Sequence, residues 1–129
     1  MGLPGSGKTT LAEALMDHIN VMNQTVTWLN ADIVRKSHND WDFSDEGRLR
    51  QAKRMWKLAE VADTEYVICD FVAPLHEMRD IFNADYTIWM DTIKSGRFED
   101  TNKIFESPVS YDMRIQDFKY STSDIFEGL

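Results

Sequence analysis

The segment GLPGSGKT at residues 2–9 fits the phosphate-binding pattern G-x-x-x-x-G-K-[ST] in full. In such a loop the glycines turn the backbone so that successive N–H groups and the start of the following helix surround a phosphate. We expect Lys8 to reach the terminal phosphates of ATP and the Thr9 hydroxyl to ligate Mg²⁺. The predicted ATP-binding residues are the run Gly2, Leu3, Pro4, Gly5, Ser6, Gly7, Lys8, Thr9 and Thr10.

The rest of the chain alternates between helical and strand patterns. After Thr9 apolar residues recur every three or four positions, which predicts a helix that ends near Asn20. Strands are predicted at TVTWLN, YVICDFV and DYTIWMD, with an edge strand at YDMRI. This succession predicts an α/β protein with the three-layer fold of P-loop nucleoside-triphosphate hydrolases and a mostly parallel sheet.

Three helical segments are expected between the strands. A short turn of helix is predicted at DIVRK, and Ser44 is placed to cap the next helix. Pro74 is expected in the first turn of the helix LHEMRDIF. The buried stripe of the helix after Ser44 is predicted to consist of Leu49, Ala52, Trp56, Ala59 and Ala62.

A strand normally leads into a phosphate loop, and about five residues are needed to form one. Only Met1 precedes Gly2, so the first strand of the sheet is expected to be absent from this chain. We predict that the chain is N-terminally truncated; the alternatives are that YDMRI or a partner chain fills the gap. Residues 1–129 are expected to form a single kinase domain with a lid at about 93–108.

Charge and composition restrict the function classes. The net charge of −8 argues against general nucleic-acid binding, because such proteins neutralise phosphates with Lys and Arg. No apolar run of about eighteen residues and no signal peptide is present, so no membrane association and a cytoplasmic location are predicted. Cys69, the single cysteine, lies in an apolar run and is expected to be reduced and buried.

The motifs after the phosphate loop indicate which class of P-loop protein this chain belongs to. No Asn-Lys-x-Asp motif of GTPases occurs, and the polar stretch from Thr92 to Pro108 is typical of a lid in a small-molecule kinase. Asp32 and Asp70 lie at the ends of predicted strands, where open α/β sheets place their ligands. Either carboxylate is a candidate metal ligand, and Asp32 is also a candidate base; the alternatives are a helix cap for Asp32 and a buried ion pair for Asp70.

With these features the chain resembles the adenylylsulfate kinase family. The segment LNADIVRKSHNDWDFSDEGRLRQAKRM is similar to that family's acceptor-binding pattern, and FVAPLHEMRD and WMDT are similar to two later motifs. Asn30 and Ala31 depart from the family's Asp-Gly, Asp70 from its small residue, and the lid is shorter. The residues that match include Asp32, Val34, Arg35, Phe43, Ser44, Arg48, Arg54, Phe71, Pro74 and Arg79.

The resemblance implies transfer of the ATP γ-phosphoryl group to the 3′-hydroxyl of adenylyl sulfate, with Lys8, Asp32 and Arg97 as catalytic residues. The resemblance also implies a small-molecule nucleotide partner and a role in sulfate assimilation. A homodimer is compatible with the resemblance. Thr9, Asp32 and Asp70 are the predicted Mg²⁺ residues. The predicted substrate-binding residues are Asp32, Arg35, Phe43, Arg48, Gln51, Phe71, Arg79 and Phe105.

Two other functions are consistent with the residues. One is a P-loop kinase that acts on another nucleoside, modified-base or polynucleotide hydroxyl, and the acidic charge weakens its polynucleotide form. The other is a non-catalytic nucleotide-binding paralogue. Release of ADP with adenylyl sulfate, compared with a panel of nucleosides, would separate the three.

Overall fold

The computed structural model describes residues 1–129. Six helices and four short strands alternate along the chain. They are α1 (Lys8–Val21), β1 (Val26–Asn30), α2 (Ala31–His38), α3 (Asp45–Val61), β2 (Tyr66–Asp70), α4 (His76–Phe82), β3 (Ile88–Met90), α5 (Glu99–Ile104), β4 (Met113–Ile115) and α6 (Thr122–Glu127). The α/β class and all four predicted strands are confirmed.

Side-chain caps determine where several helices begin. Asn30 caps α2 by accepting hydrogen bonds from the N–H groups of Asp32 and Ile33, and Ser44 caps α3 through the N–H of Gly47. The predicted Ser44 cap is therefore confirmed, and the alternative of Asp32 as a cap is excluded. The helix predicted at DIVRK is longer than one turn, because it ends only at His38.

Two predictions of local structure are wrong. Trp56 is 44% exposed, and the buried face of α3 includes Met55, in the apolar core, and Arg48 and Gln51, which border a polar cavity. Pro74 precedes the helix that it was expected to enter, since the helix cap is Leu75. The polar stretch after β3, for which no helix or strand was predicted, contains the helix α5.

The strands form two separate parallel pairs, β1 with β2 and β3 with β4. Met1 bonds to the other edge of β3, since its amino group donates to the Ile88 carbonyl and its carbonyl accepts from the Met90 N–H. In a strand, successive residues bond to opposite neighbours. The YDMRI segment therefore does not fill the position beside the phosphate loop, because β4 occupies the opposite edge of β3.

A cavity of about 510 Å³ lies between β2 and β3. Met1, Val67, Cys69 and Ile88 are among the residues that line it. Because Tyr66 bonds to Thr25 of the neighbouring strand, the backbone groups of Val67 and Cys69 face the cavity. The gap expected between the two neighbours of the phosphate-loop strand is therefore present in the fold.

Helices cover both faces of the strands and produce the three layers. The helix α1 packs with α6, and α3 packs with α4, while β1 and β2 contact both α1 and α3. One core cluster includes Met55, Phe71 and Met78, and the other includes Leu11, Leu15 and Ile115. None of the helices combines the length and hydropathy that a membrane crossing requires.

Candidate active site

The phosphate loop has a backbone that leaves donors free for an anion. Gly7 adopts a left-handed conformation, with φ of 94°, and precedes the first residue of α1. No side chain caps this helix, so its first N–H groups lack side-chain acceptors. A Cβ at Gly7 would lie 3.3 Å from the Phe118 ring, so glycine is required here by both conformation and space. These features favour a bound phosphate at the start of α1.

The Lys8 side chain folds back over the loop, where its Nζ donates to the Leu3 carbonyl at 3.0 Å. Burial lowers the pKa of the Lys8 ammonium, and the nearby Asp70 and Asp32 carboxylates oppose that shift. The Arg97 charge lowers the pKa further. Lys8, both acids and Arg97 all line one cavity of about 1060 Å³.

Thr9 and Asp70 form a pair of oxygen-bearing side chains below the loop. The Thr9 hydroxyl donates to Asp70 Oδ2 at 2.8 Å, and the Asn30 amide donates to the same oxygen at 2.9 Å. Asp70 is 6% exposed and forms no ion pair, so the ion-pair alternative is excluded. Mg²⁺ is commonly held by one or two carboxylates together with substrate phosphates, and this donor set fits that mode. No group of three or more His, Cys, Asp or Glu side chains forms a complete metal cage.

Asp32 lies in the first turn of α2, at the end of β1. Its backbone N–H is used by the Asn30 cap, but its exposed carboxylate forms no hydrogen bond within the protein. The side chain lines the cavity together with Lys8 and Thr9. A free carboxylate in this position can accept the proton of an acceptor hydroxyl.

Two buried arginines also line the cavity. Arg35 is 4% exposed and donates through Nη1 to the carbonyls of Asp40 and Asp42. Arg48 is 6% exposed and donates through Nε to the Phe43 carbonyl. Burial lowers the pKa of both guanidinium groups. Because arginine remains charged in proteins, the cavity wall carries two positive charges.

Phe43 lies between these arginines. The guanidinium of Arg35 is 4.4 Å from the Phe43 ring centroid, and that of Arg48 is 5.3 Å from it. The ring remains 51% exposed and lines the cavity. It is therefore accessible for stacking on a base, as the sequence predicts.

Gln51 and Phe71 also line the cavity. The Gln51 amide donates to the Ala31 carbonyl at 3.1 Å and accepts from Arg54 at 2.7 Å, so most of its polar capacity is already used. Phe71 is 7% exposed and packs edge-on against Phe82, which makes it mainly a core residue at the cavity floor.

The lid segment meets the phosphate loop through Gly96 and Arg97. A Cβ at Gly96 would lie 2.8 Å from the Pro4 carbonyl oxygen. The side-chain amide of Asn102 accepts from the Gly96 N–H through Oδ1 and donates to the Gly96 carbonyl through Nδ2. Arg97 stacks on Phe98 at 5.2 Å and lines the cavity, where the predicted role requires it.

Arg79 and Phe105, two of the predicted substrate-binding residues, lie outside this cavity. The Arg79 guanidinium donates to the carbonyls of Ala73, Pro74 and Glu106, and its carbon lies 5.3 Å from the Phe105 ring centroid. Neither residue lines the phosphate-loop cavity. The two side chains instead attach the end of the lid to α4.

Several cavity residues were not found by sequence reasoning. Phe118 and Tyr120 come from the loop after β4, and Phe118 packs against Gly7 of the phosphate loop. The sequence does not connect these two residues with the phosphate loop, because they lie far from the other motifs along the chain. The only indication of a role is that they form an aromatic pair after the last strand. The cavity residues that were missed include Asn30, Trp41, Met78, Phe98, Asp100, Thr101, Phe118 and Tyr120.

A phosphate loop between parallel strands, with a threonine–aspartate pair at its base, defines a P-loop nucleotide-binding fold. The family model described as adenylylsulphate kinase matches residues 1–93. The chain belongs to the adenylylsulphate kinase family.

The curated relatives agree with this family. A probable adenylyl-sulfate kinase of Aeropyrum pernix is 37% identical over 83 residues, which cover 62% of this chain and 45% of the relative. The adenylyl-sulfate kinase of Bacillus licheniformis is 38% identical over 81 residues, 60% of this chain and 41% of the relative. The chain thus spans less than half the length of these curated relatives.

The fold is also similar to a solved structure of the Mycobacterium tuberculosis APS kinase in complex with AMPPNP and APS. That match has a TM-score of 0.81 at 19% sequence identity, and it covers 99% of this chain and 93% of the other. It supports the P-loop fold that the sequence predicts.

Proposed function

We propose that this chain transfers the γ-phosphoryl group of ATP to the 3′-hydroxyl of adenylyl sulfate, which produces phosphoadenylyl sulfate and ADP. Family membership supports the reaction, and the relatives in Aeropyrum and Bacillus carry the adenylyl-sulfate kinase name. The chemistry of the cavity supports it independently of those names.

The observation that carries the proposal is the pair of buried arginines that line the same cavity as the phosphate loop. No carboxylate forms an ion pair with Arg48, and the single ion-pair contact of Arg35 is with Asp40, at 4.0 Å. Asp45 and Asp100 near Arg48, and Asp40 and Asp32 near Arg35, offset only part of the effect of burial, since the pKa of each guanidinium is still lowered. Buried charges are costly unless a partner compensates them. The sulfate and phosphate of adenylyl sulfate would provide that compensation, because guanidinium groups pair with oxyanions through planar sets of donors.

The donor side of the cavity suits ATP. The free N–H groups at the start of α1 and the Lys8 ammonium would bind the phosphates, and Arg97 would add a charge from the lid. Phe118 and Tyr120 would provide aromatic surface beside the loop. Mg²⁺, when bound through Thr9 and Asp70, would neutralise charge on the phosphates.

The transfer depends on the positions of these groups. The 3′-oxygen forms a bond to the γ-phosphorus, the bond from that phosphorus to the β,γ-bridging oxygen breaks, and ADP leaves with the bonding electron pair. Asp32 would accept the hydroxyl proton, since its carboxylate is free and lies in the same cavity as Lys8. Lys8 and Arg97 would stabilise the charge on the transferred group.

The test is ADP release by the purified chain with ATP, Mg²⁺ and adenylyl sulfate, compared with a panel of nucleosides and a polynucleotide end. Of these acceptors, we expect only adenylyl sulfate to support ADP release. Lys8→Ala should abolish it without unfolding the protein, while Lys53→Ala, an exposed lysine outside the cavity, should retain it. Equal turnover with several nucleosides would contradict the proposed acceptor, and normal turnover by Lys8→Ala would contradict the ATP site.

A cytoplasmic location and a homodimer belong to the proposal as predictions. Cell fractionation and the molar mass in solution would test them.

A further inference from the structure

Asn30 is the only side chain that hydrogen-bonds to both the acceptor and the metal side of the proposed site. It is the last residue of β1, and its Oδ1 accepts from the N–H groups of Asp32 and Ile33 at 3.0 and 3.1 Å. Its Nδ2 donates to Asp70 Oδ2 at 2.9 Å and approaches Thr9 Oγ1 at 3.5 Å. This orientation of the amide is the one that the neighbours require, because the carboxylate needs a donor and the N–H groups need an acceptor.

The Asp70 carboxylate is held by two donors on one oxygen. Thr9 and Asn30 both donate to Oδ2, while Oδ1 accepts no hydrogen bond within the protein. Two donors from different elements, α1 and β1, restrict the rotation of this buried carboxylate. The second oxygen is thereby kept available for a ligand in the cavity that Thr9 and Asp70 both line.

We infer that Asn30 is a positioning residue for Mg²⁺ and ATP: its amide NH₂ orients Asp70 toward Thr9, while its carbonyl oxygen anchors the turn that carries Asp32. This inference rests on the proposed ATP site and goes beyond the assignment of Asp70 and Thr9 to the metal. Groups that orient metal-binding side chains typically contribute about 10–100-fold to metal affinity or activity.

A helix cap is the competing role, and one substitution separates the two. Asn30→Ser keeps a good N-cap for α2 but lacks the NH₂ donor for Asp70. The matched control is Ser121→Ala, which removes the side-chain cap of α6 at a residue that does not line the cavity. A cap role predicts that Asn30→Ser resembles the parent in every measurement.

In the experiment, Mg²⁺ is titrated into each protein bound to a non-hydrolysable ATP analogue. Isothermal calorimetry measures the Mg²⁺ affinity, and thermal unfolding measures the Tm. For Asn30→Ser we expect a Mg²⁺ affinity about 10–100-fold weaker than in the parent, with little change in Tm. Binding of the analogue without Mg²⁺ should be unchanged. For Ser121→Ala we expect a lower Tm and the Mg²⁺ affinity of the parent.

An Asn30→Ser protein with parental Mg²⁺ affinity would overturn the inference and leave the proposed function intact. Absence of Mg²⁺-dependent binding in the parent itself would overturn both. If Asn30→Ser does not fold, Asn30→Thr keeps a side-chain cap, lacks the same NH₂ donor and adds no charge. A weaker Mg²⁺ affinity in that variant supports the inference, and a parental or tighter affinity overturns it.

Discussion

The surroundings of single residues at the cavity predict which step of the proposed reaction each one would affect. The Asp32 carboxylate has no hydrogen bond in the protein and is exposed to the cavity. Arg48, in contrast, is fixed by its Nε hydrogen bond to the Phe43 carbonyl and is buried. The first is suited to a transient proton transfer, and the second to binding of a stable anion.

Replacement of Asp32 by Asn should therefore act on the chemical step. The amide cannot accept the hydroxyl proton, so kcat is expected to fall by about 100-fold or more, the usual scale for a general base. The Tm should stay near that of the parent because the carboxylate makes no internal hydrogen bond. Steady-state kinetics with both substrates varied will measure this, and an effect confined to the KM for ATP would move Asp32 to the donor side.

Replacement of Arg48 by Ala should act on acceptor binding. Loss of one guanidinium that pairs with an oxyanion is expected to raise the KM for adenylyl sulfate by about 10–100-fold, from the roughly 1.5–3 kcal/mol of a charged hydrogen bond. The KM for ATP should be nearly unchanged. Arg50→Ala is the control, because Arg50 pairs with Asp40 and Asp42 outside the cavity. An unchanged acceptor KM in Arg48→Ala would remove this residue from the substrate site.

At the scale of elements, the lid is attached to the body at both ends. Its first part is joined to the phosphate loop by the close approach of Gly96 to Pro4. Its last part is joined to α4, where Glu106 bonds to the Pro74 carbonyl and to the His76 N–H. Arg79 completes this second attachment. The helix α5 therefore lies between two attachment points.

Replacement of Arg79 by Ala should release the second attachment. Three carbonyls lose a donor, and we expect the free energy of unfolding to fall by about 1–3 kcal/mol. Limited proteolysis should cleave residues 93–108 faster than in the parent. Lys103→Ala, which removes an exposed lid lysine, is the control. An unchanged cleavage rate and an unchanged urea midpoint would show that Arg79 does not hold the lid.

At the scale of the whole molecule, the two strand pairs are joined mainly through helices. The free edges of β2 and β3 face the same cavity, and only Met1 bonds across to β3. Burial lowers the pKa of the Met1 amino group from 8.0 to about 5, with a further contribution from Lys8. Cys69 is a free thiol, as predicted, but it is only partly buried because it lines this cavity. Desolvation there still raises the pKa of the thiol to about 12.

An apolar extension of about five β-branched residues joined to Met1 should stabilise the fold, because it can pair with both free edges. We expect a gain on the order of 3 kcal/mol, from several hydrogen bonds of about 0.5–1.5 kcal/mol each. A Gly-Ser extension of equal length is the control. Thermal and urea unfolding will measure the change, and equal stability of both extended proteins would contradict the prediction.

The pH dependence of stability provides a second measurement on the Met1 amino group. The folded amino group has a pKa of about 5 and the unfolded one 8.0, so the unfolded chain binds more protons between these values. The contribution of this group is complete above pH 8 and is lost as the pH falls through 5. Stability of the parent should therefore rise from pH 5 to pH 8, and either extension should remove that contribution, because the amine becomes an amide.

The sequence by itself determined the features that depend on local spacing. The phosphate loop, the helix α1, the Ser44 cap and the four strands were predicted, because glycine placement, apolar periods and capping side chains act over a few residues. The family was predicted for the same reason, since its motifs are short and keep their order along the chain.

The tertiary structure decided which side chains meet. Arg79 and Phe105 are of the same residue types as Arg35 and Phe43 in the cavity, yet their contacts are with each other and with the segment around Ala73 and Glu106. Asn30 joins Asp70 to Asp32, and Phe118 joins the phosphate loop, only because the ends of separate strands converge at one edge. Asn30 and Asp70 are 40 positions apart, and Phe118 is farther still from Gly7. Local spacing along the chain contains no information about contacts over such separations, because they depend on how whole strands and helices pack.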